Sequence, residues 1–527
     1  MGSKMSKLKF YGGVNCIGGN IVLLEDKNTR ILIDFGMSFS NENKYYSDFL
    51  KNRQGNGIRD HLSLNLIPKI PGLYREDLLN IEKADELMKE LGLRGKYLFK
   101  SDLVSYEKYI EENNRPYIDA ILISHVHLDH CGYIWMVGKD IPIYLSDVSV
   151  QFLNIIDEIS KNNKLSIVKY RILDRASSGY FKGEKKIKKS NTPLPRNILE
   201  YHDETEFTIG NLKITPYYVD HSILGASAFL IVDSDNKKIF YTGDFRFHGR
   251  QTNLTKKFKQ AMTDLRPDVM ITEGTKITET KRDDEIEVEN KIYEIAKNTN
   301  KLIFITFAWK DITRFQTVRN VCARTGRKFI IPGKMAYLLR KMKSYLDFNF
   351  SDPLTDPYIL VYLPRKGGMI YLKTDYSYNK LDVGLNPDWT NSPNIEIYEN
   401  GIKAYEIHEN QSKYIVYLND YMLNEIIDIN PSAGALYIRA LSEPFDLEGE
   451  IDEQRIKNWL KFFKINLPSS EIINIHASGH ISGIELKKFI SLVKPIKLFP
   501  IHTQHPEEFS KFKGVITNIE VGKEYFV

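Results

Sequence analysis

The sequence predicts an α/β protein of at least two domains, one of them built on a parallel sheet. Its 527 residues, 42% hydrophobic, can bury more than one core. Early segments alternate short apolar runs with glycine turns, as in "LKFYGGVNCIGGNIVLLED" and "RILIDFGM". From about residue 278 helical stretches such as "DITRFQTVRNVCARTG" alternate with strands such as "KLIFITFA" and "KFIIPG", the pattern of βαβ units.

Taken in order, the opening strands form a hairpin-like pattern that ends at Asp34. An excursion over about 38–114 follows and contains the helix-like "IEKADELMKELGL". Strands resume at "YIDAILIS", "KITPYYVD", "KIFYTGD" and "DVMITEG". After the helical "EIDEQRIKNWLKFF" two more are expected, in "EIINIHASGH" and "IKLFPIHTQHP". The lysine-rich "KGEKKIKK" at 182–189 reads first as a solvated loop and only second as a nucleic-acid contact. A net charge of +5 is too mild to announce a nucleic-acid partner, which would need local basic patches. No apolar run reaches membrane-spanning length and no signal-peptide pattern opens the chain. Three widely spaced cysteines make a disulfide framework unexpected, so the chain reads as cytoplasmic with no membrane partner.

The chemistry concentrates in "SHVHLDHCG". His125 and His127 would project to one side if the preceding strand persists, and the turn after it presents Asp129 and His130. Imidazole and carboxylate suit Zn2+ and similar cations, and four such groups in six residues could serve two ions. His221 in "YYVDHS" and Asp244 in "FYTGDF" each close a strand pattern. Alone, either reads as structural; with the first cluster they extend one donor set, and an aspartate can bridge two ions. Asp34, ending "ILID", is expected to orient a ligand or the active-site loop from behind, with a simple turn residue as the other reading.

These residues, in this order, resemble the metallo-β-lactamase fold, an αββα sandwich with a two-metal site. "FAWKDITRFQTVRNVCARTGRKFII" and "HASGHISGIELKKFISLVKPIKLFPIHT" are similar to the branch with an inserted β-CASP domain, and to ribonuclease J within it. The resemblance implies an α/β architecture in three stretches. Residues 1–277 would be the first part of the sandwich, 278–468 the inserted domain with a parallel sheet, and 469–527 the closing part. It further implies that His125, His127 and His221 hold one zinc, that Asp129, His130 and His502 hold the other, and that Asp244 bridges them. Mn2+ or Mg2+ are the alternative metals. Catalysis would involve Asp129, His480 and Glu273, with His480 as the proton donor held by Glu273. His476, Ser478 and Gly479 would bind substrate.

The implied activity is hydrolysis of phosphodiester bonds in single-stranded RNA, with 5′-to-3′ exonuclease action and endonuclease action as a second mode. The strand would run between the two domains, with "RTGRK" (324–328), "LLRKMKS" (338–344) and Trp309 as contacts. Trp309 and Lys310 in "FAWKD" depart from the small polar residues usual in the family at this point. A homodimer is compatible with this reading. The rival readings are a DNA nuclease with the same metal chemistry, or an RNA-binding protein whose metal site is idle.

Overall fold

A computed structural model describes residues 5–527 except 48, 81–83, 98–100, 161–165, 174–192, 281–283, 344–351, 354, 366–400, 442–446 and 468–474. The lysine-rich 182–189 segment and the expected boundary at 468/469 lie outside the described residues.

Two mixed sheets face each other. The first runs, in spatial order, Glu524–Phe526, Lys7–Gly12, Ile21–Asp26, Thr29–Ile33, Ala120–Leu122, Ile143–Ser146 and Ile198–Tyr201. The second runs Lys497–Pro500, Val269–Thr272, Lys238–Tyr241, Ser227–Val232, Leu212–Tyr218 and Phe207–Ile209. Alternation along the strands builds the layers, because successive side chains in a strand point to opposite faces. Val22, Leu24, Ile31, Ile33 and Leu122 fill the space between the sheets with Ile214, Phe229, Ile231, Tyr241 and Ile271. Their neighbours Leu23, Leu32 and Ile121 turn outward onto Phe152 and Ile155 of helix Asp147–Ile159. On the far side, Leu230, Phe240, Met270 and Leu498 pack beneath Phe258, Met262, Phe489 and Ile490, which belong to helices Thr252–Leu265 and Gly483–Val493. The layers are therefore helix, sheet, sheet, helix, as the αββα expectation requires.

The excursion at 38–114 thickens the outer layer: Ile58, Leu62, Leu73, Tyr74, Leu78 and Tyr106 are buried in the cluster outside the first sheet. A third sheet is wholly parallel, in the order Gly401–Ile402, Ile359–Tyr362, Lys328–Pro332, Tyr414–Tyr417, Ile303–Thr306, Leu436–Arg439. It lies in sequence between Val269–Thr272 and Lys497–Pro500, which nevertheless pair side by side. The sandwich is thus interrupted and then resumed.

Two strand expectations are corrected. The strand leading to His125 and His127 stops at Leu122. The Asp34 carboxylate accepts the Ser124 backbone N–H at 2.7 Å, so a side chain takes a donor that a strand partner would have used. Residues 475–480 of "EIINIHASGH" are also not a strand. Their carbonyls are taken instead by buried Arg314, Arg246, His248 and His221 side chains.

Candidate metal centre

Six strands point their carboxyl ends at one spot, where ligands of open α/β sheets gather. Asp34 follows Thr29–Ile33, His125 follows Ala120–Leu122, His221 follows Leu212–Tyr218, and Asp244 follows Lys238–Tyr241. Glu273 directly follows Val269–Thr272, and His502 follows Lys497–Pro500. Asp129 and His130 ride on a one-turn helix, Leu128–Cys131. That turn is seated closely: a Cβ on Gly36 would come within 1.7 Å of the Asp129 carbonyl oxygen, so only glycine lets the loop after Asp34 approach.

The predicted donors converge in two groups. His125 Nε2 and His221 Nε2 each lie 3.1 Å from His127 Nδ1. His130 Nε2 is 3.1 Å from Asp244 Oδ2, and His502 Nε2 is 3.2 Å from Asp129 Oδ2. Asp244 Oδ2 stands between the groups, at 3.8 Å from His125, 4.0 Å from His221 and 3.6 Å from His502.

The second nitrogen of four of these imidazoles is engaged from behind, which fixes the tautomer. His221 Nδ1 donates to the Gly479 carbonyl at 2.6 Å, and His130 Nδ1 donates to Asp34 Oδ2 at 2.7 Å. His125 Nδ1 is 3.1 Å from Ser124 Oγ, and His502 Nδ1 is 2.8 Å from Thr275 Oγ1. Asp34 also accepts from the Ser124 and Tyr241 hydroxyls.

A cation fits this set. With their Nδ1 atoms engaged, His125 and His221 present bare lone pairs, and both aim at the same His127 nitrogen. A single proton there cannot satisfy the two of them. Asp244 Oδ1 is buried without any hydrogen-bond partner. Burial keeps His125 and His221 uncharged and pushes His127 down to about 4, the neutral form a metal ligand needs. Burial opposes the charges of Asp129 and Asp244 as well, but the His130 and His502 imidazoles outweigh it and hold both acids ionised.

Glu273 and His480 sit at the edge of this cluster. His480 Nδ1 lies 2.9 Å from Glu273 Oε2 and 3.7 Å from Asp244 Oδ2. Glu273 Oε1 is held by the Phe245 backbone N–H at 3.0 Å. Burial alone would lower the His480 pKa; the Glu273 and Asp244 carboxylates outweigh it and raise it to about 9. The ring remains 20% exposed, so a substrate can reach it.

Ser478 O accepts from Arg246 Nη1 and His248 Nε2, both at 3.1 Å, and Ser478 Oγ accepts the His480 backbone N–H at 3.1 Å. Gly479 packs against His221 and Ser222, where an added Cβ would meet Ser222 Oγ at 2.8 Å and the His221 ring at 2.9 Å. His476 stands aside from the donors, bonded to the Ala440 carbonyl at 3.2 Å. Burial, with Arg314 nearby, pushes it down to about 3. Of the basic clusters, Arg327 is spent on the carbonyls of Ala296, Lys301, Thr299 and Tyr414. Arg324 pairs with Glu289 and stacks on Tyr293.

Little in the residue order hints at the frame under this loop. Arg246 donates to Asp220 Oδ1 at 2.9 Å and to Thr313 of helix Ile312–Thr325 at 3.3 Å. Arg314 forms a two-pronged pair with Glu285 at 2.7 and 3.0 Å, and donates to the carbonyls of Ala440 and Ala477. The only available signal was adjacency: Asp220 precedes His221, and Arg246 follows Asp244 by two.

An αββα sandwich carrying this donor set is a metallo-β-lactamase-fold protein, and the inserted parallel sheet marks the β-CASP branch. Comparison with known proteins agrees. Residues 469–513 match the family described as "Zn-dependent metallo-hydrolase RNA specificity domain". The chain is 22% identical over 509 residues to ribonuclease J of Mycoplasma genitalium, covering 95% of this chain and 68% of that protein. It is 30% identical over 215 residues to Integrator complex subunit 11 of Danio rerio, covering 38% of this chain and 32% of that protein. The match thus spans about a third of that relative. A crystal structure of a protein of unknown function from Enterococcus faecalis superposes with a TM-score of 0.67 at 20% identity, covering 99% of this chain and 100% of that one. Along nearly its whole length the chain is thus similar to ribonuclease J. No helix among the described residues is long and apolar enough to cross a membrane.

Proposed function

We propose that this chain is a zinc-dependent ribonuclease that hydrolyses phosphodiester bonds of single-stranded RNA in RNA processing or decay. It acts as a 5′-to-3′ exonuclease, with endonucleolytic cleavage as a second mode. The observation that carries the reading is the position of Asp244 Oδ2, within 4.0 Å of nitrogens from His125, His130, His221, His480 and His502.

His125, His127 and His221 would hold one ion, Asp129, His130 and His502 would hold the other, and Asp244 would serve both. When bound, the pair of cations supplies an activated water and neutralises charge on the phosphoryl oxygens. The protein's own part is positional and protonic. Asp34 fixes the ring of His130, and the Gly479 carbonyl fixes that of His221. Glu273 holds the His480 imidazole in its charged form, beside Asp244 and open to solvent on one side, where it gives a proton to the departing ribose oxygen.

The test is a cleavage ladder on RNA labelled at one end, offered with a 5′-phosphate and with a 5′-hydroxyl, beside a DNA strand of the same sequence. Stepwise shortening of the RNA from its 5′ end supports the reading. Faster cleavage of the DNA would transfer it to DNA, and binding without cleavage would leave a scaffold with an idle metal site.

A further inference from the structure

The loop after strand Ile303–Thr306 carries Trp309 and Lys310 to the seam between the inserted domain and the metal centre. Trp309, which Lys310 directly follows, packs against the buried cluster that contains Val126 and Cys131, the latter on the turn that bears Asp129 and His130. Lys334, the second residue of helix Gly333–Met342, reaches the same place from another element. Its ammonium lies 4.8 Å from the centre of the Trp309 ring, and that of Lys310 lies 5.8 Å from it. Among the described residues neither ammonium has a carboxylate or a hydrogen-bond partner, whereas most charged side chains at this seam are paired. Both lysines are half-buried, and burial opposes the charge of each.

Each lysine also stands where a helix dipole opposes a cation. Lys310 immediately precedes Asp311, the N-cap of helix Ile312–Thr325, and Lys334 lies in the first turn of its own helix. Two partly desolvated ammonium groups share the Trp309 ring and, among the described residues, neither has a carboxylate partner, which leaves their positive charge unpaired at the seam. An anion is the natural complement. Beside a centre that cleaves phosphodiesters, the available anion is a second phosphate of the same strand.

We propose that Lys310 and Lys334, braced on Trp309, form a phosphate subsite that grips the nucleic-acid backbone beside the scissile bond and sets the path of the strand. This rests on the nuclease reading above. A backbone contact of this kind is blind to base sequence, so it contributes to affinity and salt dependence and not to sequence preference.

The test compares metal-loaded wild-type protein with the Lys310→Gln/Lys334→Gln double variant, using a fluorescent, uncleavable 2′-O-methyl RNA strand in anisotropy titrations at several salt concentrations. Loss of a charge-assisted phosphate contact should weaken binding about tenfold and reduce the slope of log affinity against log salt by about 1. On cleavable RNA the loss should fall on KM more than on kcat. It should be at least several-fold greater than any loss on bis(p-nitrophenyl) phosphate, a diester too small to span both the centre and the subsite. Arginine at both positions should restore binding. Unchanged affinity and slope, or an equal loss on the small diester, would overturn the subsite. If the wild-type protein cleaves no RNA yet its binding still depends on the two lysines, the subsite stands and the ribonuclease reading falls.

Discussion

Asp244 and His480 divide the work of the site at the level of single side chains. Asp244 offers one oxygen to nitrogens on both sides and leaves the other buried and unpartnered. Asp244→Asn keeps the shape but removes the charge that both ions need, so metal analysis should find both occupancies reduced. His480 can be lost without unmaking the donor groups. His480→Ala should therefore retain its metal while kcat falls by about 10²–10⁴, the usual worth of a positioned general acid. Loss of metal in that variant would make His480 a ligand instead. Gly479 is the steric counterpart. In Gly479→Ala the methyl group meets the His221 ring, so metal affinity should fall although no donor has been removed.

Elements matter here chiefly through what braces their ends. The loop bearing His480 is not a strand; Arg246 and Arg314 hold its carbonyls, and they are in turn held by Asp220 and Glu285. Removing one partner of a buried pair leaves a charge uncompensated, so Glu285→Ala should destabilise the fold by about 3–5 kcal/mol. Burial raises the Glu285 pKa, but Arg314 outweighs it and depresses the value from 4.5 to about 2. A depressed acid contributes stability that is present above its unfolded pKa and lost as pH falls toward the folded one. The stability gap between wild type and Glu285→Ala should therefore be full above about pH 5. It should close as pH falls from 4.5 toward 2, as denaturant titrations at stepped pH would reveal. This frame is also where the sequence was least readable. "HVHLDH" is legible because its donors lie within six residues, and His221 and Asp244 because each closes an apolar run. Arg314 and Glu285 are 29 residues apart, on two helices of the inserted domain. No local period marks them, because what selects them is burial after folding. The same physics explains the strand expected through His125: its apolar run continues to Ile123, but Asp34 takes the next backbone donor and ends it.

In the whole molecule, one end of the sandwich has no core of its own. Two sheets bring six strand ends together, and the residues between them are imidazoles and acids in place of the Val, Ile and Phe that fill the layer farther in. Ions bound only by the folded state add RT ln(1 + [L]/Kd) to its stability, about 2.7 kcal/mol at a hundredfold excess over Kd. Stripping them with a chelator should lower the melting temperature, and zinc should restore it. The αββα layers themselves were foreseeable from the alternation of apolar residues and from the family resemblance. The packing of 38–114 against the outer face was not, since its short helices carry no signal for where they dock.

Every role proposed for this site depends on two cations meeting among these side chains. The most direct measurement is anomalous scattering from crystals of metal-loaded protein, with elemental analysis of the same preparation. Two peaks are expected to flank Asp244 Oδ2, one among His125, His127 and His221 and the other among Asp129, His130 and His502. A single ion held elsewhere, or none at saturating zinc, would contradict that expectation.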